Sequence, residues 1–143
     1  MHGVAKAGGS VTIHNTNRTE LAAKQAYEAS GYGPEDIDLA EVYDTMSNQE
    51  LMSIAEMGFC RKEEVGFLLE KGEFELSGKL PTNTSGGLMS RGHPLGATGL
   101  AQVAEVVWQL RGEAGGRQVS EAKVGLSHTM GAGPNCVVII LKK

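Results

Sequence analysis

The amino-acid sequence predicts an α/β domain, a layered fold in which helices cover a sheet. Three observations predict this class: a length of 143 residues, a hydrophobic content of 41%, and the alternation of strand-like with helix-like segments along the chain. Glycine makes up 20 of the 143 residues, against a usual fraction of ~7%. Because these glycines separate strongly periodic segments, they indicate tight turns and close backbone approaches.

Capping residues and glycine exits mark the helices in the first half of the chain. Asn17 and Glu20 have the spacing of a capping box, and the helix that they open ends at Gly31. Ser47 and Glu50 have the same spacing and predict the cap of a second helix. The helices predicted after the first one cover residues 48–57 and 61–70.

Strands are predicted from short apolar runs. The segment DLAEVY at residues 38–43 precedes the second helix, and a brief buried strand is predicted at 80–84. Two last runs, at 123–127 and 136–141, are joined by a turn that contains glycine. They predict an antiparallel hairpin at the end of the chain.

The clearest helix covers residues 96–110. Pro94 suits its first turn and Gly112 suits its exit. Apolar side chains recur at helical spacing along it, which predicts an amphipathic helix. These positions are Leu100, Val103, Val107 and Leu110.

Charge and hydropathy exclude two classes of partner. The formal net charge of −4 is spread along the chain without a cationic stripe, so we expect no nucleic-acid partner. The longest apolar runs, such as 136–141, fall far short of the ~20 residues of a membrane helix. Met1 is not followed by a signal-peptide pattern. The sequence therefore predicts a cytoplasmic protein without a membrane span.

The two cysteines and two of the histidines carry no recognisable site. Cys60 and Cys136 are neither clustered nor at metal-ligand spacing from a histidine. We therefore expect two buried thiols in a reducing compartment and no metal site. His2 and His14 belong to no constellation and are expected to be exposed.

A glycine-rich stretch, SGGLMSRGHPLGATG at residues 85–99, places His93 and Pro94 just before the long helix. The free N–H groups of a helix start favour an oxyanion or a phosphate, but the glycine spacing fits neither the P-loop nor the dinucleotide pattern. Three interpretations of His93 stay open on the residues alone: part of an anion cradle, a donor to a developing thioester enolate, or a structural histidine bonded to loop carbonyls.

The pattern N-x-x-G-G-x-x-[SA]-x-G-H-P-x-G-x-[ST]-G, met from Asn83 to Gly99, resembles the signature of the C-terminal half of the thiolase superfamily. DLAEVYDTM at 38–46 resembles the segment that carries Asn-Glu-Ala-Phe, or His-Asp-Cys-Phe in sterol-carrier-type members. TMGAG at 129–133 resembles the C-terminal Cys-x-Gly-x-Gly turn. The helix at 99–112 looks most like the sterol-carrier and lipid-transfer branch. The resemblance covers nearly the whole chain.

This resemblance implies a thiolase-like domain, with a five-stranded mixed sheet and helices on both of its faces. Thiolases have two similar halves, and the nucleophilic cysteine lies in the N-terminal half. The chain is therefore expected to be a C-terminal half, either a cut fragment or one subunit of a split enzyme, and to be inert alone. Implied partners are an N-terminal half, further copies in a homodimer or other homo-oligomer, and a small OB-fold companion. The implied substrate is a coenzyme A thioester, with no permanently bound cofactor.

The resemblance also assigns site residues. His93 matches the histidine that polarises the thioester carbonyl, and Tyr43 stands where an asparagine or histidine completes that oxyanion site. A phenol can donate a hydrogen bond or exchange a proton. Thr45 and Thr129 occupy both places where the family keeps its acid/base cysteine. A threonine hydroxyl has no accessible charged form, so it can only position groups.

Two residues near the last turn complete the predicted site. Gly131 matches the glycine whose backbone amide forms a second oxyanion site. His128 adjoins the turn, and two interpretations are open: an alternative base, or a structural hydrogen bond at a strand end.

Three functions follow from these assignments. The first is a thiolase-like acyltransferase of lipid metabolism that acts on carbon–carbon bonds of acyl-CoA, with thiolysis impaired by Thr45 and Thr129. The second is a retro-aldolase on β-hydroxyacyl-CoA in which Tyr43 transfers a proton. The third is a non-catalytic scaffold that binds acyl-CoA or a partner protein.

Overall fold

The computed structural model describes residues 4–7, 17–133 and 135–143, the first of these by its backbone alone. His2 and His14 lie outside the described residues. The described strands form one mixed sheet in the order β1-β4-β3-β2. β4 pairs antiparallel with both β1 and β3, whereas β2 pairs parallel with β3. The strands are β1 (Val4–Ala7), β2 (Leu39–Glu41), β3 (Val124–Met130) and β4 (Cys136–Lys142).

The expected five-stranded sheet is wrong for the described residues, which form three strands with defined side chains and the backbone of β1. The segment predicted as a strand at 80–84 makes only one parallel bridge, between Thr82 and Ala40. The ladder stops there because the Asn83 side chain takes the Val42 N–H, at 2.8 Å. Asn83 also adopts a φ of 52°, a left-handed conformation that leaves the extended course of a strand. The last two strands form the antiparallel pair that the sequence predicts.

The first helix begins and ends as predicted. The side chain of Asn17 accepts hydrogen bonds from the backbone N–H groups of Thr19 (3.1 Å) and Glu20 (3.4 Å). Gly31 ends the helix with a φ of 75°. The helices are α1 (Arg18–Ser30), α2 (Ser47–Glu56), α3 (Val65–Glu70), α4 (Gly87–Arg91) and α5 (Thr98–Arg111).

The boundaries of α2, α3 and α5 differ from the prediction, with α5 beginning at Thr98 rather than at residue 96, and α4 is an additional helix. Ser47 is the first residue of α2 rather than its cap, because the extended residue before it is Met46, which has no side-chain acceptor. α3 is shorter than predicted, since the Glu64 carboxylate closes a turn onto the backbone N–H of Arg61. α4 was not predicted at all, because its glycine-rich sequence has no helical apolar period.

Helices cover both faces of the sheet, as predicted. One face presents Leu126, Val138 and Ile140 to α1 and α2. The other face packs Leu39 and Leu141 against α5. Successive strand residues point to opposite faces, so the two clusters alternate along β4. Of the two cysteines, Cys136 is fully buried as predicted, whereas Cys60 is only half-buried.

Gly125 lets α5 lie close to β3. A Cβ atom at this position would stand 2.5 Å from Cγ1 of Val106, below any normal contact. We expect Gly125→Ala to lower the free energy of unfolding by about 1–3 kcal/mol, because the helix must move away from the sheet. Urea denaturation measures this. Gly116→Ala is the matched control, since its Cβ would meet nothing within 4 Å, and equal losses in both variants would contradict the close packing.

The buried face of α5 carries polar side chains beside the apolar Val106 and Leu110, which the apolar period did not indicate. Leu100 is 74% exposed, whereas Gln102, Glu105 and Gln109 are at most 2% exposed. Each of the three has partners: for example, Gln102 donates from Nε2 to the carbonyl oxygen of His128 at 3.0 Å. The buried amide and carboxylate groups tie α5 to the loops around it.

Candidate active site

The structure brings Tyr43 and His93 together, although 50 residues separate them in the sequence. Tyr43 follows the end of β2 by two residues, and His93 follows the end of α4 by two residues. The phenol oxygen lies 3.0 Å from Nε2 of the imidazole. The two rings meet edge to face, with centroids 5.3 Å apart and planes at 90°. Both side chains are half-buried, so the pair remains accessible from one side.

The second ring nitrogen of His93 is held by Thr98. Nδ1 lies 2.7 Å from the Thr98 hydroxyl oxygen, and that hydroxyl lies 3.1 Å from the carbonyl oxygen of Pro94. Thr98 is 2% exposed, so water does not compete for this contact. The orientation of the imidazole is therefore fixed at both nitrogens, and a proton can pass along the Tyr43–His93 hydrogen bond.

His128 contacts the backbone of Tyr43 and is fully buried. Its Nδ1 accepts the backbone N–H of Tyr43 at 3.4 Å, and its Nε2 lies 3.2 Å from the hydroxyl oxygen of Thr19. Burial lowers the pKa of His128 from 6.5 to about 4, so the ring is neutral at neutral pH. Of the two open interpretations, this geometry favours the structural hydrogen bond.

Thr129 packs at the start of α5. Its hydroxyl donates to Oε1 of Gln102, and a Cβ atom at Gly99 would lie 3.1 Å from its methyl group. Gly99, the last residue of the signature, thus lets the helix start approach this strand end. The hydroxyl is used to orient a buried amide, which fits a positioning role.

Among the described residues, neither Gly131 nor Thr45 is hydrogen-bonded to the Tyr43–His93 pair. The backbone N–H of Gly131 donates to the carbonyl oxygen of Asn135 at 2.9 Å, inside the turn between β3 and β4. The amide that was predicted to bind a second thioester oxygen is thus engaged within the turn. Thr45 is exposed, and no hydrogen bond among the described residues joins it to Tyr43 or His93.

Sequence reasoning missed two buried carboxylates beside Tyr43. Glu41 is 0% exposed; its Oε1 accepts the backbone N–H of Ser85 at 3.0 Å and its Oε2 accepts the Ser85 hydroxyl at 2.5 Å. Asp44 is 2% exposed and binds backbone N–H groups of α4. The available signal was an acidic residue inside the apolar run DLAEVY, which is unusual for a buried strand.

Burial raises the pKa of Glu41 from 4.5 to about 7, and the negative charge of Glu105 adds to the rise. Hydrogen bonds from Ser85 and the positive charge of Arg91 oppose it. Glu105 itself is paired with Arg117, whose Nε and Nη2 atoms each lie 2.8 Å from one carboxylate oxygen. The Thr84 hydroxyl reaches both carboxylates, at 3.4 Å and 3.3 Å. These contacts connect β2 and α5 through Thr84, which lies in the segment before α4.

Apolar side chains flank the loop that carries His93. Met89, Leu95 and Leu100 are 61%, 86% and 74% exposed. Across residues 17–133 and 135–143, no group of three histidine, cysteine or acidic side chains is placed to hold a metal ion. None of the helices described is long and apolar enough to cross a membrane.

Residues 7–143 match the family described as "Thiolase C-terminal domain-like". The chain is 50% identical over 121 residues to a "Sterol carrier protein 2" from Rattus norvegicus, covering 85% of this chain and 22% of that protein. It is 46% identical over 133 residues to an "Acetyl-CoA acetyltransferase" from Methanothermobacter thermautotrophicus, covering 89% of this chain and 35% of that protein. The chain thus spans about a fifth to a third of the length of these relatives.

A solved structure of an "Ltp2-ChsH2(DUF35) aldolase" has the same fold. It superposes with a TM-score of 0.84 and 26% sequence identity, over 98% of this chain and 38% of that chain.

Proposed function

The chain belongs to the thiolase C-terminal domain-like family, and on that premise we propose that it supplies the C-terminal half of an enzyme acting on carbon–carbon bonds of acyl-CoA thioesters. The observation that carries the proposal is the 3.0 Å contact between the Tyr43 phenol and the His93 imidazole. It joins two of the segments that resemble the family, residues 38–46 and residues 83–99. The nucleophilic cysteine of a thiolase reaction comes from an N-terminal half, so this chain alone is expected to be inert.

The Tyr43–His93 pair suits the intermediate that such reactions share. Cleavage of the bond between Cα and Cβ of an acyl-CoA leaves an enolate on the thioester fragment. Its oxygen needs a hydrogen-bond donor, and its α-carbon needs a proton. A phenol hydrogen-bonded to an imidazole can supply the proton, because Nε2 of His93 can take up a proton through the phenol when the substrate's hydroxyl or thiol is deprotonated, and return it by the same route to the α-carbon.

The main candidate reaction is thiolase-type acyl transfer. A 3-ketoacyl-CoA and coenzyme A give a shortened acyl-CoA and acetyl-CoA, after the acyl group has passed through the cysteine of the other half. The names of the relatives, which include an acetyl-CoA acetyltransferase, support this candidate. Within this chain, His93 and Tyr43 bind the thioester oxygen and transfer the proton of the α-carbon.

Aldol cleavage is the second candidate, and Tyr43 is the observation that favours it. In this reaction a β-hydroxyacyl-CoA loses its hydroxyl proton to a base, splits into a ketone or aldehyde, and leaves acetyl-CoA after protonation of the α-carbon. It requires no cysteine, which agrees with Thr45 and Thr129 at the acid/base positions. The similar solved structure is named as an aldolase, which adds support.

One comparison separates the two reactions. The enzyme assembled from this chain and its N-terminal half is given a 3-ketoacyl-CoA with coenzyme A, or a β-hydroxyacyl-CoA alone. Robust CoA-dependent thiolysis supports acyl transfer. Release of a ketone or aldehyde without thiolysis supports the lyase. Absence of both reactions, together with tight binding of acyl-CoA, supports the scaffold instead.

We propose that exposed apolar side chains near His93 contact a partner. The exposed side chains of Met89, Leu95 and Leu100 suit contact with a further half or copy, since apolar groups are costly to leave in water. A small companion protein is proposed because the name of the similar solved aldolase includes a DUF35 component. Homo-oligomer formation and a cytoplasmic location remain predictions from the sequence.

Thr98→Val tests whether the orientation of the imidazole matters for catalysis. The change keeps the shape of the side chain and removes the hydroxyl at 2.7 Å from Nδ1 of His93. We expect kcat to fall by about 10-fold with little change in KM, because the ring is free to leave the productive orientation. Steady-state kinetics of the assembled enzyme measures it. Thr82→Val is the control, because that hydroxyl donates to the Leu80 carbonyl oxygen at 2.9 Å, and an unchanged kcat in Thr98→Val would contradict the role.

A further inference from the structure

Asp44 follows Tyr43 directly in the chain, yet it binds another segment. Its Oδ1 accepts the backbone N–H of Leu88 at 2.7 Å, and its Oδ2 accepts the backbone N–H of Met89 at 3.4 Å. The carboxylate is 2% exposed, so these amides replace the water that it would otherwise bind. A loop that carries one member of the catalytic pair thus holds the helix that precedes the other member.

The two adjacent glycines of the signature make this contact geometrically feasible. Gly86 and Gly87 have φ angles of 90° and 64°, both in the left-handed region. A Cβ atom on Gly87 would lie 2.1 Å from Oδ2 of Asp44. The carboxylate therefore presses against bare backbone, which no other residue type would allow without displacement.

The chain between this contact and His93 is short. α4 ends at Arg91, and Gly92 alone separates it from His93. The position of the imidazole therefore follows from where Asp44 fixes the start of α4. Glu41, three residues earlier in the chain than Asp44, accepts the backbone N–H and the hydroxyl of Ser85, so the loop is anchored at two places.

We propose that Asp44 is a positioning residue, whose carboxylate sets the distance between the Tyr43 phenol and the His93 imidazole by holding the start of α4. Its effect on rate rests on the proposed function, whereas its effect on the ring contact does not. Removing the carboxylate leaves the buried N–H of Leu88 and the partly buried N–H of Met89 without their partner, and lets α4 shift. A displacement of about 1 Å at a catalytic group can cost about 100-fold in rate.

Nuclear magnetic resonance of the 143-residue chain tests the geometry without any activity. The wild-type chain should show a nuclear Overhauser effect between the ring protons of Tyr43 and His93, whose centroids are 5.3 Å apart. In Asp44→Ala this effect should disappear, and the imidazole nitrogen shifts of His93 should move towards those of a free ring. Absence of the ring contact in the wild type, or its survival in Asp44→Ala, overturns the proposal.

Asp38→Ala is the matched control. The Asp38 carboxylate likewise accepts two backbone N–H groups, from Lys123 at 2.7 Å and Val124 at 2.9 Å, but it lies at the other end of β2. It should lose stability and keep the Tyr43–His93 contact; loss of the contact there as well would reduce Asp44 to a general stability role. Where Asp44→Ala does not fold, Asp44→Asn retains one acceptor and should show a weakened contact. An undiminished contact in Asp44→Asn then contradicts the proposal.

Kinetics of the assembled enzyme provides the second readout. Asp44→Ala should lower kcat by about 100-fold with KM nearly unchanged, and Asp44→Asn should recover part of the loss. If the ring contact responds as expected but no variant or wild-type enzyme cleaves acyl-CoA, the proposed function fails and the positioning role stands. If the wild-type enzyme is active and Asp44→Ala keeps both its contact and its kcat, the positioning role fails alone.

Discussion

The Tyr43→Phe enzyme should lose carbon–carbon bond cleavage by about 100-fold or more while it keeps its fold. The substitution removes only the oxygen that lies 3.0 Å from Nε2 of His93, and leaves the aromatic ring in place. Without the hydroxyl, the site lacks the group that donates to the enolate oxygen or returns a proton to its carbon. Product release from a β-hydroxyacyl-CoA, and thiolysis of a 3-ketoacyl-CoA, measure the loss in the assembled enzyme.

Tyr32→Phe is the control for this change, because no hydrogen bond of the Tyr32 hydroxyl occurs among the described residues. A double variant adds a sharper criterion. If Tyr43 and His93 act as one unit, then Tyr43→Phe combined with His93→Ala should cost little more than either change alone. Unchanged product formation in Tyr43→Phe would contradict a joint role of Tyr43 and His93, as would rate losses that are fully additive in the double variant.

Glu41→Gln should change how stability depends on pH. The folded chain raises the pKa of Glu41 from 4.5 to about 7, so it binds this proton more tightly than the unfolded chain. The stabilisation that protonated Glu41 gives the folded chain is therefore fully present below pH 4.5 and is lost as the pH rises towards and through 7. Relative to the wild type, Glu41→Gln should gain stability over this window, by up to about 3 kcal/mol.

Urea denaturation at a series of pH values between 4 and 8.5 measures this difference. Glu63→Gln, at an exposed position, controls for the loss of one carboxylate from the net charge. His128 has the opposite sign: its pKa is lowered to about 4, so its contribution is present above 6.5 and lost as the pH falls. In the wild type, Glu41 and His128 change the folding stability in opposite directions as the pH rises. In Glu41→Gln, the rise of stability with pH that His128 contributes should therefore become visible. A constant stability difference between Glu41→Gln and the wild type across this range would refute the assignment.

Sequence patterns predicted the elements whose residues signal locally. Asn17 and Gly31 determine the ends of α1 by side-chain and backbone chemistry within a few residues, so the spacing alone was sufficient. The family resemblance implied that Tyr43 and His93 share one site, because Tyr43 stands at the position that completes the oxyanion site of His93. Neither propensity nor periodicity could have placed those rings together, since 50 residues separate them.

The sequence patterns did not predict the polar contacts between distant segments. Glu41 and Asp44 are buried because backbone N–H groups from residues 85–89 satisfy them, and those partners are more than 40 residues away. For the same reason the amphipathic interpretation of α5 missed Gln102, whose buried amide bonds to His128 and Thr129. The predicted fifth strand does not form because the Asn83 side chain accepts the backbone N–H of Val42, which the next hydrogen bond of the β-ladder would require.

Exchange of α-protons tests the central claim most directly, because enolate formation is common to thiolysis, its reverse and aldol cleavage. The assembled enzyme is incubated with acetyl-CoA in D₂O, and deuterium at the methyl carbon is followed by mass spectrometry. We expect exchange by the wild-type enzyme, and little or none by His93→Ala or Tyr43→Phe. Tight acetyl-CoA binding without exchange, or exchange that persists in both variants, would contradict a catalytic Tyr43–His93 pair.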